Sequence, residues 1–254
     1  MSNTFKSSFL NHLGSISIAL GVVVTAAILG SSWVESKRNS ENKKTIEVTG
    51  KAEKDFTSDL VVWSGSYSRF SVDFKDAYRQ LKEDQAKTKA FLIAKGIKEN
   101  EITFSSTDIR KEDEDIYDEK GYRRGTRFLG YTVDQSVSIK SKEVDKVEAI
   151  SREITDLLEQ GVSFNSGSPS YYFTKLAELK IDLLKEAAKD ARNRCETVLD
   201  EAGGSKGRLT RSTMGVFQIT GQNSDEEYSW GGTLNTSSKE KTASVTVSLE
   251  YDIR

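Results

Sequence analysis

Nucleophilic and metal chemistry draw on few side-chain types, and this 254-residue sequence is poor in them, with one Cys (Cys195) and one His (His12). Beyond residue 34 there is no imidazole, so neither a Ser-His-Asp nor a Cys-His arrangement can be assembled there. The usual His and Cys sets for zinc are missing for the same reason. One Cys also excludes an intrachain disulfide. Cys195 invites a redox-thiol reading, but it falls between Ala191 and Val198 on an apolar helical stripe, where a small, inert core residue is expected. The acidic run Glu112, Asp113, Glu114, Asp115, Asp118 and Glu119 is dense enough to suggest Ca²⁺. An EF-hand loop begun at Asp113 needs Gly at its sixth position and Glu at its twelfth, and meets Asp118 and Arg124 instead. Residues 111–126 are therefore expected to form a solvated hairpin tip. Gly203, Gly204, Ser205, Lys206 and Gly207 have the composition of a phosphate loop without its spacing, and read as a helix stop followed by a turn. With 39 Asp and Glu residues, an acid–base pair of carboxylates stays open as a route. No catalytic, cofactor-binding or metal-binding residue is nominated. A formal charge of −2 argues against nucleic acid as a partner.

The element expected to organise the chain is a helix over residues 174–202. Ala177, Ile181, Leu184, Ala188, Ala191, Cys195, Val198 and Ala202 recur at steps of four and three, one apolar stripe along the rod. Thr174 can cap its start, and Gly203-Gly204 can end it. Strands with period-two alternation are expected over residues 46–53, 60–67, 102–109 and 128–140. An amphipathic helix over 72–95 presents Phe74, Tyr78, Leu81, Thr88 and Leu92 on one face, with Gly96 as its stop. A second helix over 144–160 carries Val147, Ile150, Ile154, Leu157 and Leu158, with Gly161 as its stop. Residues 162–173 are extended and broken by Gly167 and Pro169. Residues 209–220 are extended, and 221–239 form a polar loop holding Trp230, which is expected to touch a partner or a membrane surface, whereas Trp63 is expected in the core. The closing strand sets Ala243, Val245, Val247, Leu249 and Tyr251 against Thr and Ser. Lacking Pro, Lys and Arg from 243 to 251, it would pair with another subunit if it lay at a sheet edge. A strand–helix–strand unit occurs twice, over 60–109 and 128–173, with no residue-level repeat. The fold class implied is α+β, a mainly antiparallel sheet with helices packed on it.

Residues 7–34 contain no Lys, Arg, Asp or Glu. Residues 13–34 are long and apolar enough to span a bilayer. Gly30-Ser31-Ser32 is a poor cleavage site, so an uncleaved anchor is expected rather than a removable signal peptide. The organisation is then an anchor over 1–34, a polar tether over 35–45 and a folded domain over 46–254. Lys37, Arg38, Lys43 and Lys44 follow the span and would hold the domain in the cytoplasm if the positive-inside rule decided alone. Large downstream domains translocate regardless of charge.

The run Ile46-Glu47-Val48-Thr49-Gly50-Lys51-Ala52, with the strand from Asp59 to Trp63, resembles the opening of the SIMPL-domain family of bacterial envelope proteins. Three further stretches match in order: Gly130-Tyr131-Thr132-Val133, Ala187-Ala188-Lys189-Asp190-Ala191-Arg192, and the closing strand from Ala243 to Tyr251. The likeness covers residues 45–254. It implies an α+β domain, export to the periplasm or cell surface, assembly into homo-oligomers and, in some relatives, defence against oxidative stress. It supplies no catalytic residue. The expectation is a single-pass protein of the cytoplasmic membrane, anchored through residues 13–34 with its bulk on the periplasmic side, non-enzymatic and self-associating. The alternative is a small-ligand receptor or a carboxylate-based enzyme.

Overall fold

A computed structural model of the chain describes Thr25, residues 28–31 and residues 44–254. Thr25 and residues 28–31 are helical. The rest of the expected anchor, and the expected tether up to residue 43, lie outside the described residues. Among the described residues no helix is long and apolar enough to cross a membrane.

The fold is α+β and rich in antiparallel pairing, but its strands form two sheets rather than the one expected. β1 (Thr45–Thr57) and β2 (Leu60–Ser71) belong to different sheets, so the chain passes from one to the other at Ser58 and Asp59. The six-stranded sheet runs β3 (Ile102–Phe104), β5 (Arg123–Ser141), β2 and β6 (Phe164–Ser166). β4 (Asp108–Tyr117) also pairs with β5, and β7 (Ser170–Tyr172) with β2. Its spine is the β2–β5 ladder, antiparallel from Val61 opposite Ser141 to Ser71 opposite Tyr131. The five-stranded sheet has the order β1, β11 (Glu240–Ile253), β9 (Gln218–Gly221) and β10 (Thr233–Leu234), with β8 (Lys206–Met214) also on β11. The closing strand therefore has a neighbour on each side, and Val247 is buried. The edge pairing conditionally expected of that strand has no free edge to use.

Helix α1 (Phe74–Ala94) begins where extended Asp73 accepts the Lys75 N–H at 2.9 Å, a side-chain cap on a donor the helix leaves unpaired. Ala77, Leu81, Asp84, Thr88 and Leu92 are buried. Phe74 and Tyr78 stay exposed, because the buried line is rotated from the expected face towards Ala77 and Asp84. Helix α2 (Val144–Glu153) is shorter than expected and tightens into a 3-10 turn at Ile154–Leu158. Gly96 and Gly161, at φ +87° and +76°, follow the two helices as expected of left-handed stops. Both helices pack on β2 and β5, and Val61, Trp63, Tyr67, Val133, Val137 and Ile139 alternate into the core beneath them.

Helix α3 (Leu176–Glu201) buries Leu179, Leu183, Ala187, Ala191, Cys195 and Leu199. This is a row of strict four-residue steps. Ala191 and Cys195 belong to the expected stripe, but Ile181 and Val198 are exposed. Rows of four-residue steps are inclined to the helix axis, so the buried line slants across the rod instead of following steps of four and three.

By compactness the described chain forms two units. One comprises the described residues up to 49 with 191–213 and 248–254, and the other residues 50–190 and 214–247. The stretch 46–254, read from sequence as one domain, contributes to both. In the smaller unit, β8 lies on the end of β11, Thr210 donates its hydroxyl to the Glu250 carbonyl at 2.9 Å, and Lys206 pairs with Glu196.

Candidate functional site

Cys195 is fully buried, and burial pushes its thiol pKa up, so little of the reactive thiolate forms. The acidic run is carried mainly by β4, whose alternation sends neighbouring carboxylates to opposite faces. Glu114 pairs with Arg127, Asp115 with Arg123 at 2.8 Å, and Asp113 with Lys111 at 3.0 Å. Asp118 accepts the N–H groups of Lys120 and Tyr122, each at 2.9 Å, and pairs with Arg124 at 2.8 Å. The Tyr122 N–H contributes most to holding its carboxyl below the usual range. Its oxygens order a turn, where Gly121 takes φ +80°. Among the described residues no three His, Cys, Asp or Glu gather in a way that could hold a metal ion.

What the expected solvated tip becomes is an arm. β4 and β5 pair from Asp108 opposite Asp134 to Tyr117 opposite Arg123, so only residues 118–122 are turn. Among the described residues the ribbon has two strands only past Gly130, because β2 reaches no further than Ser71 opposite Tyr131. At that junction Gly130 lies against the Phe70 ring. A Cβ there would stand 2.6 Å from the ring and 2.7 Å from the Ser71 carbonyl, so no larger residue fits without a shift. Ile109, Ile116, Tyr117, Tyr122, Phe128 and Leu129 are all exposed along the arm.

Two charged groups that the sequence reading passed over are buried. Asp84, 1% exposed, accepts from Nε and one Nη of Arg69, at 2.5 and 2.8 Å, a bidentate pair, and the same Nη also donates to the Gly161 carbonyl. The hydrogen bond from Arg69 to Asp84 raises the guanidinium pKa. Tyr67 nearby donates to Gln135 at 2.7 Å, and its phenol pKa is raised by burial and by the Asp84 charge. At the corner between the sheets Lys241, 2% exposed, donates to the Tyr171 carbonyl at 2.6 Å and to the Ser58 hydroxyl at 2.9 Å. Burial pushes its pKa down to about 8. Beside it Asp59 accepts the Thr174 N–H at 2.7 Å and hydroxyl at 2.6 Å, so Thr174 is tied to the corner. Both buried charges had a signal in the sequence. Lys241 continues the inward alternation of Ala243 and Val245, and Asp84 lies three residues from Leu81 and four from Thr88.

A cleft of about 590 Å³ lies in the larger unit. Its walls include Met214 and Val216 from the end of β8 and the residues after it, Lys51 from β1, Ser244 from β11, and Tyr228 and Trp230 from the 222–232 loop. That loop is held by Gln218, which is buried in β9. Its amide donates to the Ser229 carbonyl at 2.7 Å and accepts the Ser229 N–H at 3.3 Å. The Gly232 N–H closes onto the Ser229 carbonyl at 3.0 Å. Trp230 is thereby presented at the tip of a pinned turn, 100% exposed. Lys51 pairs with Glu53 and stands 5.8 Å from the centre of the Tyr228 ring. The bond to Glu53 contributes most to raising the Lys51 pKa. The Tyr228 hydroxyl lies 3.3 Å from the Ser244 hydroxyl and 3.5 Å from the Glu53 carboxylate. Trp63, by contrast, is core, as expected, and donates to the Gly167 carbonyl at 3.0 Å.

The sequence profile of the SIMPL family, described as a protein of unknown function (DUF541), matches residues 46–251. A match over that share of the sequence shows membership, and the chain belongs to the SIMPL family. No curated protein matches the chain.

Proposed function

We propose that this SIMPL-family chain is a membrane-tethered, non-enzymatic domain of the cell envelope that self-associates through its β4–β5 arm. The observation that supports this reading most is the arm. Among the described residues it is a two-stranded ribbon with an unpaired edge on each side and apolar side chains in solvent. Isolated two-stranded ribbons are marginal in water, and free edges with exposed apolar residues gain by pairing with another chain. Residues 13–34 serve in this reading as an uncleaved anchor, with residues 35–254 on the periplasmic side. Any part in oxidative-stress defence would run through assembly or binding rather than through the buried Cys195 thiol.

Sedimentation of the full-length chain in detergent tests the assembly. A defined multimer is expected, and combined replacement of Ile116, Tyr117 and Tyr122 by Ser is expected to lower the mass while leaving the melting temperature unchanged. A monomer at high micromolar concentration sinks the reading. Topology is tested separately with protease added to intact spheroplasts, which should digest the domain. Survival until the membrane is permeabilised would reverse the orientation.

A further inference from the structure

We infer that the cleft between Trp230, Tyr228, Met214 and Val216 binds a neutral saccharide, with pyranose rings stacked on the aromatic side chains and their hydroxyls against the Lys51 ammonium and the Tyr228 and Ser244 hydroxyls. Three features of the cleft select this chemistry. The first is the pinned presentation of Trp230. An indole wholly in water costs free energy, yet the buried Gln218 amide fixes the turn that displays it through two hydrogen bonds to Ser229. The Trp230 side chain therefore offers its apolar faces from a backbone ordered in advance, which lowers the entropy lost on binding.

The second feature is charge balance. Lys51 is the cation at the cleft wall and Glu53 neutralises it. An anionic ligand would have to compete with Glu53 for the ammonium, and a cationic one with Lys51 for the carboxylate. A neutral ligand with hydroxyl groups can accept from the Lys51 ammonium in the lining and leave its pair with Glu53, outside the lining, in place. The Tyr228 and Ser244 hydroxyls, 3.3 Å apart, extend that row of groups able to donate or accept.

The third is the mixture of surfaces. A purely apolar ligand, such as an acyl chain, would leave Lys51 and the Tyr228 and Ser244 hydroxyls desolvated without replacement bonds. A pyranose ring has an apolar C–H face and a polar rim, and so matches both the aromatic and aliphatic walls and the polar groups of Lys51, Tyr228 and Ser244. A volume of about 590 Å³ lies within the range of small-molecule sites.

The test uses the full-length chain in a detergent without a sugar headgroup, titrated with chitotetraose, cellotetraose and maltotetraose at millimolar concentrations. Saturable binding of at least one is expected, seen as a shift in tryptophan emission and as saturation transfer to the ring C–H protons. Trp230→Ala should weaken it about tenfold, the scale of one lost aromatic contact. Glu53→Gln should weaken it less, and both variants should keep the parent's melting temperature. Absence of saturable binding to all three overturns the inference, as does binding that Trp230→Ala leaves unchanged. Tighter binding of an aromatic anion such as indole-3-acetate, lost on Lys51→Met, would replace the saccharide with a different class and likewise overturn it.

Discussion

The two ends of β5 belong to one continuous strand and live in different solvents. From Val133 to Ser141 every second residue is buried, including Gln135 and Ser141, whereas residues 123–129 are all exposed, Phe128 and Leu129 among them. Polarity along the strand does not account for this. The buried end has β2 beside it and α1 and α2 over it, whereas the other end has only β4. Each end handles its charges accordingly. The core end confines one carboxylate, Asp84, in a bidentate pair with Arg69. The arm spreads several pairs over its surface, Arg123–Asp115 and Arg127–Glu114 with both partners exposed and Arg124–Asp118 with the carboxylate half-buried in the turn. The same interaction type should therefore differ greatly in weight between the two ends.

The largest expected effect of a substitution near neutral pH is at Asp84. Asp84→Ala leaves the Arg69 guanidinium, 26% exposed, with the Gly161 carbonyl but without its carboxylate, and because water still reaches the arginine the cost is roughly 2 kcal/mol, below that of breaking a fully buried pair. Urea unfolding should show the midpoint fall with an unchanged slope. A loss below roughly 1 kcal/mol, the ceiling typical of exposed pairs, would erase the distinction between the two ends.

A second test concerns a buried charge without a carboxylate bonded to it. Lys241 has a folded-state pKa of about 8 against an ordinary 10.5. Between these values the unfolded chain binds more protons than the folded one, so stability should rise as pH is raised from about 8 towards 10.5. At 1.36 kcal/mol for each pH unit of difference the full rise is roughly 3 kcal/mol. In Lys241→Met that rise should vanish from thermal denaturation measured across the window. Net stability near neutral pH should change less, because Ser58 and Tyr171 then lose a donor. A parent protein whose stability is flat from pH 8 to 10.5 would show that the corner lysine is not desolvated.

Much of this contrast was hidden in the sequence for a definable reason. Alternation in β2, β5 and β11 was legible because one face of each strand is buried, and Gly96 and Gly161 marked helix ends through their backbone freedom. The family resemblance was carried by stretches within these same elements. The division into two sheets was not legible, since the Ser58–Asp59 corner looks like any short polar turn and nothing local says that β1 and β2 will not pair. The length of the arm was missed because β4 carries four acids in a row, Glu112 to Asp115, and the facing part of β5 carries Arg123, Arg124 and Arg127, so neither strand alternates apolar with polar residues. Only the cross-strand partners, such as Arg127 opposite Glu114, reveal the ladder. The cleft joins Lys51 to Trp230 across a long span of chain, and no periodicity links them. Asp84 and Lys241 were legible in principle, as charged residues on otherwise apolar faces.

The smallest expected effect on stability is at Arg127, and it sharpens the comparison most. Arg127→Ala removes the partner of Glu114 in the arm, where both side chains are more than half exposed. Exposed pairs contribute about 0–1 kcal/mol, and here the unpaired Glu114 carboxylate is simply hydrated. Urea unfolding of the variant should therefore match the parent within about 0.5 kcal/mol. Assembly should respond differently. If arms meet other subunits, Arg127 helps set the charge pattern that a neighbouring chain faces, and mismatched charges affect association more than folding. Sedimentation of the full-length variant should show a weakened multimer, with greater dissociation at low protein concentration and unchanged unfolding. Unaltered assembly in Arg127→Ala, together with unaltered assembly when Ile116, Tyr117 and Tyr122 are replaced, would remove the arm from the interface. A large loss of folding stability would mean instead that the arm is held as firmly as the core end of β5.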